Sequence, residues 1–208
     1  MYFPAKINSE VNENKIKALN IPEKSIAIAY SIQYKDIAVK IKGILSKKYK
    51  ITGMIQVLGC SKPKFPKDTE AILLISSGRF HASSLAIESN LPIYILEANE
   101  LKRISKEEID AFKKKKQTSY IRFLNSEKIG ILVSTKPGQE NLKDALDLKK
   151  NNLKDKKFYL FMGNEIDSRQ FENFTIDSWI NTACPRLDFD SSVINMDCLN
   201  LGHSKNSL

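Results

Sequence analysis

The feature that most constrains this chain is the unbroken apolar run Ala71–Ile75 (AILLI). A strand with one wet face alternates apolar and polar side chains, so a continuous run of this kind needs cover on both faces. Other short strands recur along the chain: Ile26–Ser31 (IAIAYS), Ile55–Leu58, Pro92–Leu96, Lys128–Ser134 (KIGILVS), Phe158–Met162 and Trp179–Asn181. Between them the apolar residues change to helical spacing, as at Ile37, Ala38, Ile41, Ile44 and Leu45, over His81–Ser89, and at Leu142, Ala145, Leu146 and Leu153. Strands alternating with helices predict an α/β fold with parallel sheets and right-handed crossovers. The pattern also starts twice. Ile26, Ile28 and Ser31 fall in register with Ile129, Ile131 and Ser134, and each strand leads into a turn containing Gln and then an amphipathic helix. Two similar domains are expected, each a small parallel sheet flanked by helices, covering residues 1–120 and 121–208 with a boundary near residues 117–125.

An apolar content of 42% and a charged content of 27% are those of an ordinary globular protein. No apolar run approaches the ~18 residues that cross a bilayer. The opening MYFPAKINSE has no signal-peptide architecture. Together these predict a cytoplasmic protein with no membrane contact. The net charge of +9 comes from 33 Lys plus Arg against 24 Asp plus Glu. Its densest run is Lys113–Lys116. Ser105 and Glu108 form a capping box ahead of it, which places these lysines at a helix C-terminus, where they offset the helix dipole. The competing reading is a docking surface for a partner in an acidic neighbourhood. The basic residues lack the interleaved aromatics and arginine clusters of a nucleic-acid surface, so no direct sequence-specific binding is expected.

The three cysteines, Cys60, Cys184 and Cys198, form no CxxC pair. An odd count without a signal peptide argues against a disulfide framework. Taken singly, each reads as a small buried hydrophobe. Cys60 and Cys184 both follow strands, however, and ligands of open α/β sheets collect outside the carboxyl ends of the strands.

Four segments change the weighing: VLGC (Val57–Cys60), SGRFH (Ser77–His81), STKPGQ (Ser134–Gln139) and NTACPR (Asn181–Arg186). Their order and spacing, with Gln33 in the turn after the first strand, resemble the radical enzyme of diphthamide biosynthesis, 2-(3-amino-3-carboxypropyl)histidine synthase. The resemblance runs from about Ile26 to Leu199, and VLGC and NTACPR are its most specific parts. It implies three similar α/β domains in a triangle, each giving one cysteine to a central [4Fe-4S] cluster. Cys60 matches the second-domain ligand and Cys184 the third-domain ligand. Thiolates are the usual ligands of such clusters, and three leave one iron open, here for S-adenosylmethionine. The reduced cluster opens the bond from sulfur to the γ-carbon. The 3-amino-3-carboxypropyl radical then adds to a histidine of translation elongation factor 2, the protein substrate. Gln33, Lys136, Gln139 and Arg186 are expected near S-adenosylmethionine.

The resemblance also implies a first domain for which these residues hold no counterpart, with residues 1–22 as its tail or a linker. The third thiolate is then expected from a partner chain, in a homo- or hetero-oligomer. Ser77 stands where the family commonly has Asp. The plain readings remain beside these: His81 as a helix-start residue bonded to nearby backbone, Arg186 as an ion pair fixing its loop, Lys136 and Gln139 as ordinary polar turn residues, Cys198 as an inert thiol and His203 as part of a loose tail. The alternative function is a non-catalytic scaffold or accessory subunit of the same pathway.

Overall fold

The computed structural model describes residues 7, 10–58, 62–77, 80–150, 155–167, 170, 173–184, 187 and 193–199. The chain divides into two compact units, Met1–Ala111 and Phe112–Leu208. In the first, α1 (Glu13–Ala18) precedes β1 (Ser25–Tyr30), a 3-10 turn (Ile32–Tyr34), α2 (Lys35–Leu45), β2 (Lys50–Gln56), β3 (Ala71–Ile75), α3 (Phe80–Ser89), β4 (Ile93–Glu97) and β5 (Glu100–Arg103). Their spatial order is β2-β1-β3-β4-β5, and every pair is parallel except β4–β5. The unbroken apolar run is explained by this arrangement. Leu73 and Ile75 pack on one face with Ile16, Ile37, Ile41 and Leu45 of α1 and α2. Ile72 and Leu74 pack on the other with Ala82, Leu85 and Ala86 of α3.

The strand expected at Ile55–Leu58 lies earlier, as β2 (Lys50–Gln56), and α1 and β9 follow no pattern read from the sequence. Two further features differ from the sequence expectation. β5 (ELKR) is charged and exposed, so no apolar pattern announces it; it returns antiparallel through Ala98 and Asn99, whose φ values of 49° and 64° suit a tight hairpin turn. The second concerns α4 (Lys106–Leu124). Its start is the expected capping box, with Glu108 N–H donating to Ser105 Oγ and Ser105 N–H to Glu108 Oε2, both at 3.1 Å. Its end is not at Lys113–Lys116. No Gly or Pro interrupts the helix there, and burial of Ser119 and Phe123 carries it about two turns further. The four lysines are therefore mid-helix. The carbonyls at the true C-terminus are met by Lys156, whose Nζ donates to Phe123, Leu124 and Ser126 at 3.0, 2.9 and 2.7 Å.

The second unit continues from α4 with β6 (Lys128–Ser134), α5 (Leu142–Lys150), β7 (Lys157–Gly163), β8 (Ser178–Asn181), β9 (Ile194–Asn195) and the short α6 (Met196–Leu199). The order β7-β6-β8-β9 is parallel throughout. Ile129, Ile131 and Val133 pack with Ala145, Phe158 and Ile180. Leu142 joins that core while Leu146 is exposed, and Leu153 lies outside the described residues. The two strands that read as repeats, β1 and β6, hold equivalent central places.

The likeness extends to hydrogen bonds. Glu70, the residue before β3, accepts from the amides of Lys24 and Ser25 at 2.9 and 3.0 Å. Asp177, the residue before β8, accepts from those of Glu127 and Lys128 at 3.1 and 2.7 Å. Each carboxylate ties down the start of its central strand. The Lys128 amide foremost, with that of Glu127, holds Asp177 below its ordinary value of 3.8. A carboxyl with a lowered folded-state pKa stabilises fully above its unfolded value and loses that effect as pH falls through the folded one. Asp177→Asn should therefore flatten the acid limb of stability below about pH 4, read from thermal melts between neutral and acid pH.

Candidate functional site

The strand order reverses at β6: one connection leads to β7 on one side, and the next crosses to β8 on the other. At such a switch point the loops leaving the carboxyl ends of neighbouring strands part and leave a crevice. Here a pocket of about 220 Å³ opens, lined by Ser134, Lys136, Gln139, Asn164, Ile166, Ala183, Cys184 and Leu187. It joins two of the motif segments. STKPGQ follows β6, and NTAC closes β8.

The STKPGQ turn is built by short-range bonds. Ser134 Oγ accepts the Lys136 amide at 3.1 Å, Thr135 N–H reaches the Gly163 carbonyl at 3.0 Å, and Gln139 N–H donates to the Lys136 carbonyl at 3.0 Å. Gly138 sits at φ +79°, a left-handed conformation that glycine adopts without steric cost. The turn thus brings Lys136 and Gln139 to the same pocket wall. Lys136 Nζ lies 3.3 Å from Glu165 Oε1, and the two side chains are 41% and 80% exposed. Such a pair is weak and open to exchange.

The NTAC loop is held more firmly. Asn181 is 2% exposed. Its Nδ2 donates to the Cys184 carbonyl at 2.8 Å and to Asn195 Oδ1 at 2.6 Å, and its Oδ1 accepts the Ala183 amide at 3.0 Å. Thr182 donates through both N–H and Oγ1 to the Leu132 carbonyl, and Asn141 Nδ2 donates to the Thr182 carbonyl at 2.6 Å. Leu187 N–H adds a bond to the Cys184 carbonyl at 3.1 Å. The result is a free, exposed cysteine on a fixed backbone at the pocket edge. A thiol so placed fits a soft metal ion or an iron–sulfur cluster. Among the described residues no three His, Cys, Asp or Glu gather as a closed metal site.

The other expected residues fall as follows. Gln33 is exposed in the 3-10 turn after β1, and its carbonyl accepts the Ile7 amide at 3.2 Å. Cys60, Arg186 and His203 lie outside the described residues. Val57, the residue after β2, donates to the Tyr30 carbonyl at 2.8 Å, so VLGC starts at the carboxyl end of that strand. His81 is half-buried in the first turn of α3, and Ser77 is exposed. Cys198 is partly buried against the core of the second unit. Sequence reasoning missed the pocket residues Asn164, Ile166 and Leu187, which lie outside the four motif segments. It also missed the anchoring role of Asn181, although an Asn bonding the amide two residues on is a known turn device.

Similarity to known proteins agrees with these motifs. A profile of the diphthamide synthesis protein family matches residues 1–193. The chain belongs to the diphthamide synthesis family. Among curated members, 2-(3-amino-3-carboxypropyl)histidine synthase of Pyrococcus horikoshii is 29% identical over 136 residues, covering 65% of this chain and 40% of that protein. Subunit 1 of the Schizosaccharomyces pombe synthase is 32% identical over 145 residues, covering 65% and 32%. The Methanocaldococcus jannaschii synthase is 27% identical over 175 residues, covering 82% and 48%. The chain thus spans less than half the length of these diphthamide relatives. Its fold is that of Dph2 from Pyrococcus horikoshii, crystallised with a 4Fe-4S cluster. The TM-score is 0.72 at 22% identity, covering 89% of this chain and 59% of that one. Among the described residues no helix is long and apolar enough to cross a membrane.

Proposed function

We propose that this chain supplies two thiolates, Cys60 and Cys184, to a [4Fe-4S] cluster in a transferase. The enzyme moves the 3-amino-3-carboxypropyl group from S-adenosylmethionine to a histidine of translation elongation factor 2. The observation that carries this reading is the exposed Cys184 sharing one pocket with Lys136 and Gln139. Residues 1–120 and 121–208 then correspond to the second and third domains of the family, acting in the cytoplasm. When bound, the cluster supplies the one-electron reduction that opens the bond between sulfur and the γ-carbon of the cosubstrate. Everything else falls to the polypeptide.

Asn181 fixes the backbone from which Cys184 reaches iron. Lys136 exchanges Glu165 for the cosubstrate carboxylate, with Gln139 on the same pocket wall and Arg186 two residues after Cys184 in the sequence. Ile166 and Leu187 exclude water from one wall. Gln33 serves the corresponding turn of the first unit. Two cysteines do not complete a three-thiolate cluster, so the third comes from residues beyond these 208, in a further domain or a partner chain.

The test is anaerobic reconstitution of the chain with the polypeptide that copurifies with it, followed by iron and sulfide analysis and assay of the modified histidine. The complete complex should show the charge-transfer absorption of the cluster and yield product. Cys60→Ala and Cys184→Ala should each lose most of the iron, and Cys198→Ala should keep it. Full iron in Cys184→Ala, or a loaded complex that leaves S-adenosylmethionine intact, would sink the proposal.

A further inference from the structure

The two central strands hand over to their helices differently. After β6 the turn is held from within: Ser134 Oγ accepts the Lys136 amide, and Gln139 N–H donates to the Lys136 carbonyl. After β1 the 3-10 turn Ile32–Tyr34 is shorter, and Ser31 gives it no side-chain cap. Within it, Tyr34 N–H donates to the Ser31 carbonyl at 2.9 Å. Further support comes from outside the turn. The Gln33 carbonyl accepts from the amide of Ile7, in the segment before α1.

That segment has a second anchor. Asn99 Oδ1 accepts the Asn12 amide, and Asn99 Nδ2 donates to the Glu10 carbonyl, each at 3.1 Å. Asn99 sits at φ 64° in the β4–β5 hairpin, a left-handed position that asparagine tolerates. Val11 packs against the core of the first unit. In the sheet order β3 lies between β1 and β4, so the anchors at Gln33 and Asn99 stand on either side of its carboxyl end. Ligands of open α/β sheets collect at that end. Three residues of chain reach at most about 10 Å, so Glu10 cannot shift far without moving Ile7. Beyond Asn12 the chain is held independently. Asn12 Oδ1 accepts the Lys15 amide, Ile16 is fully buried, and Lys48 Nζ and Tyr49 Oη both donate to the Leu19 carbonyl. Loosening the bonds at Asn99 therefore frees this strap without undocking α1.

We propose that Asn99 is a positioning residue, which acts through the strap to fix the Gln33 turn at the carboxyl end of the first sheet. Its effect on turnover rests on the reading above, in which Gln33 serves the cosubstrate. Asn99→Gly isolates the effect, because glycine accepts the left-handed φ and the substitution takes away both strap bonds. Asn99→Asp keeps the acceptor for Asn12 and loses the donor to Glu10, so it should fall between wild type and Asn99→Gly.

Hydrogen exchange of the full chain reads the strap with no cluster needed. In Asn99→Gly the amides of Ile7 and Tyr34 should exchange about tenfold faster, the factor that two hydrogen bonds of ordinary net strength supply. The amides that pair β4 with β5 should keep their rates, and the melting curve should stay cooperative. In the anaerobically reconstituted complex, Asn99→Gly should raise the KM for S-adenosylmethionine severalfold with kcat held, and should add nothing to Gln33→Ala. Unchanged exchange at Tyr34, even with Ile7 released, would overturn the proposal, because the strap would then lie on the turn without shaping it. Additive effects of Asn99→Gly and Gln33→Ala on KM would overturn it too. A silent Gln33→Ala would instead remove the role given to Gln33, and exchange at Tyr34 would still decide whether the strap holds the turn.

Discussion

Asn181→Leu should lower the unfolding free energy by about 3 kcal/mol and, on the proposed function, strip iron from the reconstituted complex although its cysteines are all intact. The substitution keeps the branched outline and the number of side-chain heavy atoms, but its two methyl groups are bulkier than the amide and add an overpacking cost. It removes the donors to the Cys184 carbonyl and to Asn195 Oδ1, and the acceptor for the Ala183 amide. Asn181 is 2% and Asn195 5% exposed, so water does not replace the bond between them. Each buried polar group left without a partner costs roughly 1–3 kcal/mol. Urea unfolding measures the stability, and iron per folded chain measures the site. The double variant Asn181→Leu/Asn195→Leu should cost less than the sum of its singles, because removing both partners leaves fewer groups stranded. Wild-type stability in Asn181→Leu would show the network to be unimportant. A destabilised variant that retains full iron would show that the thiol is positioned by something else.

Much of the fold is legible where burial is two-sided or local chemistry is self-contained. AILLI reads as a covered strand, and Ser105 with Glu108 reads as a helix start, because each depends on neighbours in the chain. The far end of α4 is not legible in that way. Its last carbonyls are met by Lys156, more than thirty residues on, so the lysine run looked like a terminus when it was a helix interior. β5 is hidden because an exposed edge strand needs no apolar face. In the site, Cys184, Lys136 and Gln139 could be named from motifs whose shared pocket exists only after folding. Asn164 and Ile166 could not, since they reach the pocket merely by following β7. The carboxylates of Glu70 and Asp177 are ordinary surface residues in the sequence. Their matching role appears only when the two sheets are laid strand for strand against each other.

Gly130→Ala should cost about 2–3 kcal/mol, a large penalty for a single methyl group. Gly130 lies inside β6 with no unusual φ, so conformational freedom is not why glycine stands there. A close approach is the reason. A Cβ at this position would lie 2.3 Å from both Cε3 and Cζ3 of Trp179 on the paired strand β8. The indole covers the glycine backbone and cannot slide freely, since Phe161 packs edge-on to it at 4.8 Å and Phe174 at 6.2 Å. Trp179 is the only tryptophan in the chain, so its emission reports directly on this contact. A displaced ring should show a red-shifted maximum in the folded variant and an earlier urea midpoint. Gly43 supplies the opposite case. It lies within α2 with nothing within 4 Å of its would-be Cβ. Gly43→Ala should therefore stabilise by about 0.5–1 kcal/mol through helix propensity and a less disordered unfolded chain. Combining Gly130→Ala with Trp179→Leu separates strain from lost aromatic packing. If the methyl group acts by displacing the ring, it should cost far less once the ring is gone. An equal cost in both backgrounds would place the strain in the β6 backbone instead.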